Sequence, residues 1–268
     1  MPASDKLTAA FDALRDAVVE ALDARPTPDP DPGPDPKPDT SGKVPTDVLP
    51  ILKTWTVTTT TGKQGSPTNL YPAKIGDGKG FIPGVFYVTD DGGVMFHATV
   101  DGFTTPNSKR CRVEGRQMAD GDWTKAAWNG NDPHTLEAEF WISTAGLTKR
   151  KRVSGLQIHD GGDDVIQVLA DAEHGLIVLT DDGKTMTVLD PDYRDKQRCT
   201  VRIETGAGKV RVVYSGGKTV EFNKRGTSWY FKAGCYNQAS MAEHGEPPTS
   251  FGEVCIYKLS ATGKLVGG

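Results

Sequence analysis

The chain has 268 residues, with 31 Lys and Arg against 35 Asp and Glu, a formal charge of −4 and a mean hydropathy of −0.45. So near-neutral a balance excludes the basic footprint of a nucleic-acid-binding surface. No run of about 18 apolar residues is present to form a membrane-spanning helix, and the length suits one large domain or a moderate domain with an appendage.

The first 25 residues read as a short amphipathic helix. Ser4 can cap its start and Pro26 stops it, while Leu7, Phe11, Leu14, Val18 and Ala21 recur at spacings of 4, 3, 4 and 3. A helix this short is marginal in water alone, so residues 4–24 are expected to form a homo-oligomer or to dock on a larger assembly such as a virion. The alternatives are a frayed tail or a helix folded back on the domain that follows. No charged start, continuous apolar core and small-residue cleavage site precede it, so no signal peptide is expected.

Residues 26–45 form a linker. Seven of the 18 prolines stand at every second position from Pro26 to Pro38. Such a stretch cannot make backbone ladders and has no apolar surface to bury. It should be a polyproline II spacer of roughly 40 Å, at about 3.1 Å per residue. Residues 1–45 hold 5 basic and 9 acidic residues, which accounts for the whole charge of −4; residues 46–268 are neutral.

From residue 46 onward strands dominate. Leu136, Ala138, Phe140 and Ile142 alternate with polar neighbours, as do Val201 and Ile203, then Val210, Val212 and Tyr214, and Glu253–Leu259 reads as one more strand. Asp90-Asp91-Gly92-Gly93, Asp181-Asp182-Gly183 and Ser215-Gly216-Gly217 punctuate the runs as turns. Short strands joined by Gly-rich turns over more than 200 residues predict an all-β fold, a β-sandwich or jelly roll.

Three strands carry unusual polar sets. Period 2 puts Arg112, Glu114 and Arg116 of RVEGR on one face, and Gln157 with His159 opposite Ile158. In YFKAGCYNQ, Tyr230, Lys232, Tyr236 and Gln238 share a face, and Phe231, Ala233 and Cys235 lie behind. If these strands are neighbours, one sheet face gathers Arg, Gln, His, Lys and Tyr in a concave groove.

Those motifs resemble polysaccharide lyase family 7, the alginate lyases: RVEGR is similar to R-x-E-L-R, QIH is identical to Q-[IV]-H, and YFKAGCYNQ resembles Y-F-K-A-G-x-Y-N-Q. They occur in the family's order, and the resemblance covers about residues 46–264. Gly115 stands where that family usually has Leu, and Cys111 where Pro is common; alternation puts both away from the Arg112 face.

The resemblance implies β-elimination on a 4-linked polyuronate, alginate foremost. Removing the C5 proton places charge on the C6 carboxylate, so fixed donors there matter most. Arg112 offers a planar fork and Gln157 an amide. The resemblance implies Tyr236 as the acid, and as the base for one epimer, with His159 as base for the other. Glu114, Arg116, Tyr230, Lys232, Asn237 and Gln238 are expected to bind the sugar or orient the catalytic groups. The reaction requires neither metal nor organic cofactor.

The remaining signals read as structural. Cys111, Cys199, Cys235 and Cys255 are scattered singly and are expected to be buried free thiols. His97, His134, His174 and His244 lack chemical company, and Asp160–Asp164 lacks calcium-loop spacing and reads as a turn. Two other functional classes stand beside the lyase: a glycan-binding module without catalysis, and a structural virion or surface component. An exported glycan as substrate and no expected secretion signal together suggest a phage depolymerase, virion-associated or released on lysis.

Overall fold

The computed structural model describes residues 40–71, 80–119, 124–180 and 183–265. The helix expected over residues 4–24, and the proline-rich spacer as far as residue 39, lie outside the described residues.

Pro45 and Asp47 begin a single helical turn, α1 (Pro45–Val48), in which the Asp47 carboxylate accepts from the Val44 amide at 2.9 Å. Strands follow: β1 (Trp55–Lys63), β2 (Ser66–Leu70), β3 (Phe86–Val88), β4 (Val94–Thr99) and β5 (Arg112–Gln117). Next come β6 (His134–Ser143), β7 (Arg152–His159), β8 (Asp164–Asp171), β9 (Gly175–Thr180) and β10 (Thr185–Asp190). The chain continues through β11 (Cys199–Gly206), β12 (Lys209–Tyr214), β13 (Thr219–Asn223), β14 (Tyr230–Asn237), the short α2 (Met241–His244) and β15 (Phe251–Thr262). None of the described helices is long and apolar enough to cross a membrane.

The strands form two antiparallel sheets. One has the order β10-β9-β8-β7-β14-β5-β1-β2, the other β13-β12-β11-β6-β15-β4-β3. Strands distant in sequence pair at the centre of both, β7 with β14 and β6 with β15, as a jelly roll requires. The expected fold class is borne out. The predicted alternations lie in β6, β11, β12 and β15, and Ser215–Gly217 turns β12 into β13.

The core lies between the sheets. Val113, Ile158 and Phe231 of the first face Phe96, Phe140 and Val254 of the second, all fully buried. Each such side chain contributes about 1.5–3 kcal/mol. The same residues set the orientation of their neighbours: with Val113, Ile158 and Phe231 facing inward, period 2 sends Arg112, Glu114, Gln157, His159, Tyr230 and Lys232 outward. The four cysteines are free and buried.

Candidate active site

The three motif strands are consecutive neighbours, in the order β7-β14-β5. Register places Lys232 between Arg116 on β5 and Gln157 on β7, Tyr230 beside His159, and Tyr236 beside Arg112. The outward-facing residues border a groove of about 450 Å³ that includes Arg112, Gln157, His159, Tyr230, Lys232 and Tyr236. A bulge between Ala233 and Tyr236 shifts β14 against β7. Gly234 sits in that bulge at φ +135°, where a Cβ would meet the Val113 carbonyl oxygen at 2.7 Å.

Glu114 organises the floor. It is 1% exposed; one carboxylate oxygen accepts from the Gln157 amide, and the other pairs with the Lys232 ammonium and with Arg112 Nη1 at 3.5 Å. Glu114 is therefore an orienting group for three groove residues rather than a surface offered to a ligand. Burial alone would raise its pKa, but Lys232 and Arg112 hold it below the usual carboxylate range. Burial draws the Lys232 ammonium down to about 8 against the pull of Glu114.

Arg112 is held on three sides. Nη2 donates to Ser108 Oγ at 3.3 Å, Nη1 reaches Glu114, and the guanidinium lies 3.9 Å from the centre of the Tyr236 ring. The Arg116 guanidinium lies 3.6 Å from the centre of the Tyr230 ring. Arg112 Nε and Arg116 Nε are buried N–H donors without a protein partner among the described residues.

His159 is oriented through Nδ1, which lies 2.7 Å from the Asp160 carbonyl oxygen and 3.0 Å from the Tyr230 hydroxyl. A carbonyl accepts only, so Nδ1 carries the proton and Nε2 keeps the lone pair. Burial, then the Lys232 charge, lowers the His159 pKa and favours this neutral form.

Two expected residues lie elsewhere. Asn237 was expected at the substrate, but it is fully buried on the core side, where Nδ2 donates to the Ala98 carbonyl at 2.8 Å. The reason is parity: odd positions of β14 face the other sheet. Gln238 is 4% exposed and accepts from Arg110 Nη1 at 2.9 Å, beside Tyr236 in an adjoining depression. The Asp160–Asp164 run is the expected turn, closed by Asp160 Oδ1 accepting from the Gly162 and Asp163 amides at 2.7 Å. That turn also brings Asp163 and Asp164 to the groove wall, with Asp164 opposite His159 and its carboxyl raised by burial to about 6. Composition gives no sign of this; pairing of the strands flanking the turn does.

Asp171, Glu173 and His174 are near enough to one another to share an ion. Asp171 is already engaged by Arg152 and by His174 at 3.0 Å, and the trio does not border this groove.

A jelly roll bearing this polar groove on one sheet has the architecture of a polysaccharide lyase, and comparison with known proteins shows that class. A family model described as alginate lyase matches residues 49–263, and the chain belongs to that family, polysaccharide lyase family 7. Among solved structures it is similar to the alginate lyase AlgAT5 of family 7, at 32% identity over 83% of this chain and 100% of that one, with a TM-score of 0.76. The alginate lyase from Corynebacterium sp. is 30% identical over 82% of this chain and 98% of that one, with a TM-score of 0.74. The Klebsiella pneumoniae alginate lyase shares the fold at 19% identity, covering 82% and 99%, with a TM-score of 0.62. No curated protein matches significantly.

Proposed function

We propose that this lyase cleaves 4-linked polyuronate, alginate foremost, by endolytic β-elimination, leaving an unsaturated uronate end. The observation that carries the proposal is the gathering of Arg112, Gln157 and Lys232 around the buried Glu114, with His159 and Tyr236 bordering the same groove. The C6 carboxylate would lie against Arg112 and Gln157. A guanidinium and an amide fixed there stabilise the charge that develops when the C5–H bond breaks, without reorganising as they do so.

His159 Nε2 takes the C5 proton from one epimer, and Tyr236 donates to the O4 leaving group. In the other epimer the C5 hydrogen lies on the opposite ring face, and Tyr236 serves as both base and acid. The C4–O bond breaks as the C4–C5 double bond forms, and no water is consumed. A groove whose wall at Tyr236 is shared with an adjoining depression suits internal attack on a long chain. On the same reading, residues 4–24 self-associate or dock the enzyme on a virion, with the proline-rich spacer holding the domain away.

The test is absorbance of unsaturated uronates against a panel of polyuronates, with product sizes followed through time. Mixed oligomers appearing early support endolytic attack; release of single short products alone refutes it. No absorbance with any polyuronate would refute the lyase reading. Equal sizing and avidity of the full chain and a version beginning at Val44 would refute self-association.

A further inference from the structure

Beyond Tyr236 the groove opens into a second depression of about 330 Å³, with Tyr236, Asp163 and Asp164 common to both walls. Its far side is basic: Arg110, Arg150 and Arg152, with the buried Gln238 between Arg110 and Tyr236. None of the three arginines belongs to the motifs that define the catalytic groove.

The charges here are only partly neutralised. Arg110 Nε pairs with Glu243 at 2.8 Å, and Arg152 pairs with Asp171. Arg150 has a His244 ring nitrogen at 3.1 Å, and no carboxylate, as its side-chain partner among the described residues. Burial, then the like charges of Arg152 and Arg110, lowers the Arg150 pKa against the smaller opposing pull of Asp171 and Glu243, so a further anion would relieve this cluster. Gln238 Nε2, on a side chain 4% exposed, is a buried donor with no protein partner among the described residues.

The cluster is also built. Glu246, 3% exposed, accepts from the Thr148 amide and hydroxyl at 2.9 Å and from the Lys149 and Arg150 amides at 2.8 Å. Burial opposes its charge, yet these donors bring its pKa to about 2. One buried carboxylate thus fixes the backbone that presents Arg150.

We propose that Arg150, with Arg110 and the Gln238 amide, forms a distal subsite that binds the carboxylate of a uronate residue beyond the scissile bond, making turnover depend on chain length. This rests on the lyase reading for the identity of the polymer. A polyuronate carries one carboxylate per sugar, so a chain crossing Tyr236 delivers a fixed anion to each successive site. Arg152 is committed to Asp171 and supports the field rather than the contact.

The experiment is titration calorimetry of purified oligouronates, trimer against hexamer, on the full chain in a Tyr236→Phe background with and without Arg150→Ala. Charged hydrogen bonds of this kind correspond to about a tenfold to hundredfold change in affinity. The expected result is a loss of that size on the hexamer and a much smaller one on the trimer. Lys209→Ala, the same charge change on the other sheet, should not alter either. Arg150→Gln serves as a second variant should the alanine form melt early. Equal losses at both lengths, or none, overturn the subsite. Product absorbance with the unsubstituted chain is read in parallel: its absence refutes the lyase reading, while the titration still decides the subsite.

Discussion

The carboxylate of Glu114 and the ammonium of Lys232 are paired across two adjacent strands, both almost wholly removed from water. Gly234 stands opposite Glu114, where a Cβ would meet the Val113 carbonyl oxygen at 2.7 Å and the Glu114 Cα at 2.9 Å, so its lack of a side chain lets the two strands approach. The pair fixes Lys232 at the groove floor, and Glu114 uses its remaining capacity on Arg112 and Gln157. One buried acid therefore sets the positions of three groups that would meet a substrate carboxylate.

Glu114→Gln keeps the shape and removes the charge. It leaves Lys232 and Arg112 facing each other without a counter-ion, which should cost about 3–5 kcal/mol of stability. Below the melting transition kcat should fall more than KM rises, because orientation of transition-state donors is lost. Urea denaturation and steady-state kinetics check both. An unchanged midpoint would show that the pair contributes nothing net.

His159→Ala and Tyr236→Phe should each keep the fold, since both side chains border the groove and neither lies between the sheets. Each should lower kcat by about 10²–10⁴-fold on the best substrate. Turnover of Tyr236→Phe at the unsubstituted rate would remove that hydroxyl from the chemistry.

The pH profile follows from the two shifted groups. His159 acts as a base only when neutral, and its pKa lies below the ordinary 6.5, so activity should persist below pH 6.5 before protonation removes it. Lys232 loses its proton near 8, so the alkaline limb of kcat/KM should fall there. Lys232→Arg should move that limb upward while the acid limb stays. An acid limb at or above pH 6.5 would contradict a neutral, oriented His159.

Much of this site is legible in the sequence through period 2. That alternation assigns Arg112, Glu114, Arg116, Gln157, His159 and Lys232 to outward faces, because adjacent Val113, Ile158 and Phe231 have to be inside. It fails where the backbone departs from regularity or where depth matters. Alternation shows that Glu114 faces the groove, yet not that Lys232 and Arg112 close over it. Asn237 belongs to a shared motif but has the parity of the core. Arg110, Arg150 and Asp164 come from loops and strand ends, whose meeting depends on pairing across the sheet.

Arg112→Lys separates charge from geometry. The ammonium keeps the positive charge but cannot bridge Ser108, Glu114 and a ligand with a planar fork, nor stack on Tyr236 in the same way. Catalysis should be damaged more than ground-state binding, with kcat reduced about 10-fold or more and KM changed less. Equal loss in both would make Arg112 a uniform anchor.

Gly115 tests how this chain packs where its family usually carries Leu. A Cβ there would lie 3.0 Å from Trp55 Cε3 and 3.2 Å from the Ala233 carbonyl oxygen, so the indole already occupies the space a larger residue would need. Trp55 is 1% exposed and belongs to the same core cluster as Val113 and Ala233. Gly115→Leu should therefore overpack the sheet by about 1–3 kcal/mol, and Trp55→Ala alone should cost about 3–5 kcal/mol by leaving a cavity. Because each change supplies or removes the volume the other needs, the double variant should be more stable than the sum of the two losses implies, by about 1 kcal/mol or more. Urea melts of the four proteins close the cycle. Strict additivity, or a Gly115→Leu protein as stable as the original, would show that Trp55 is not what fills the place of the leucine.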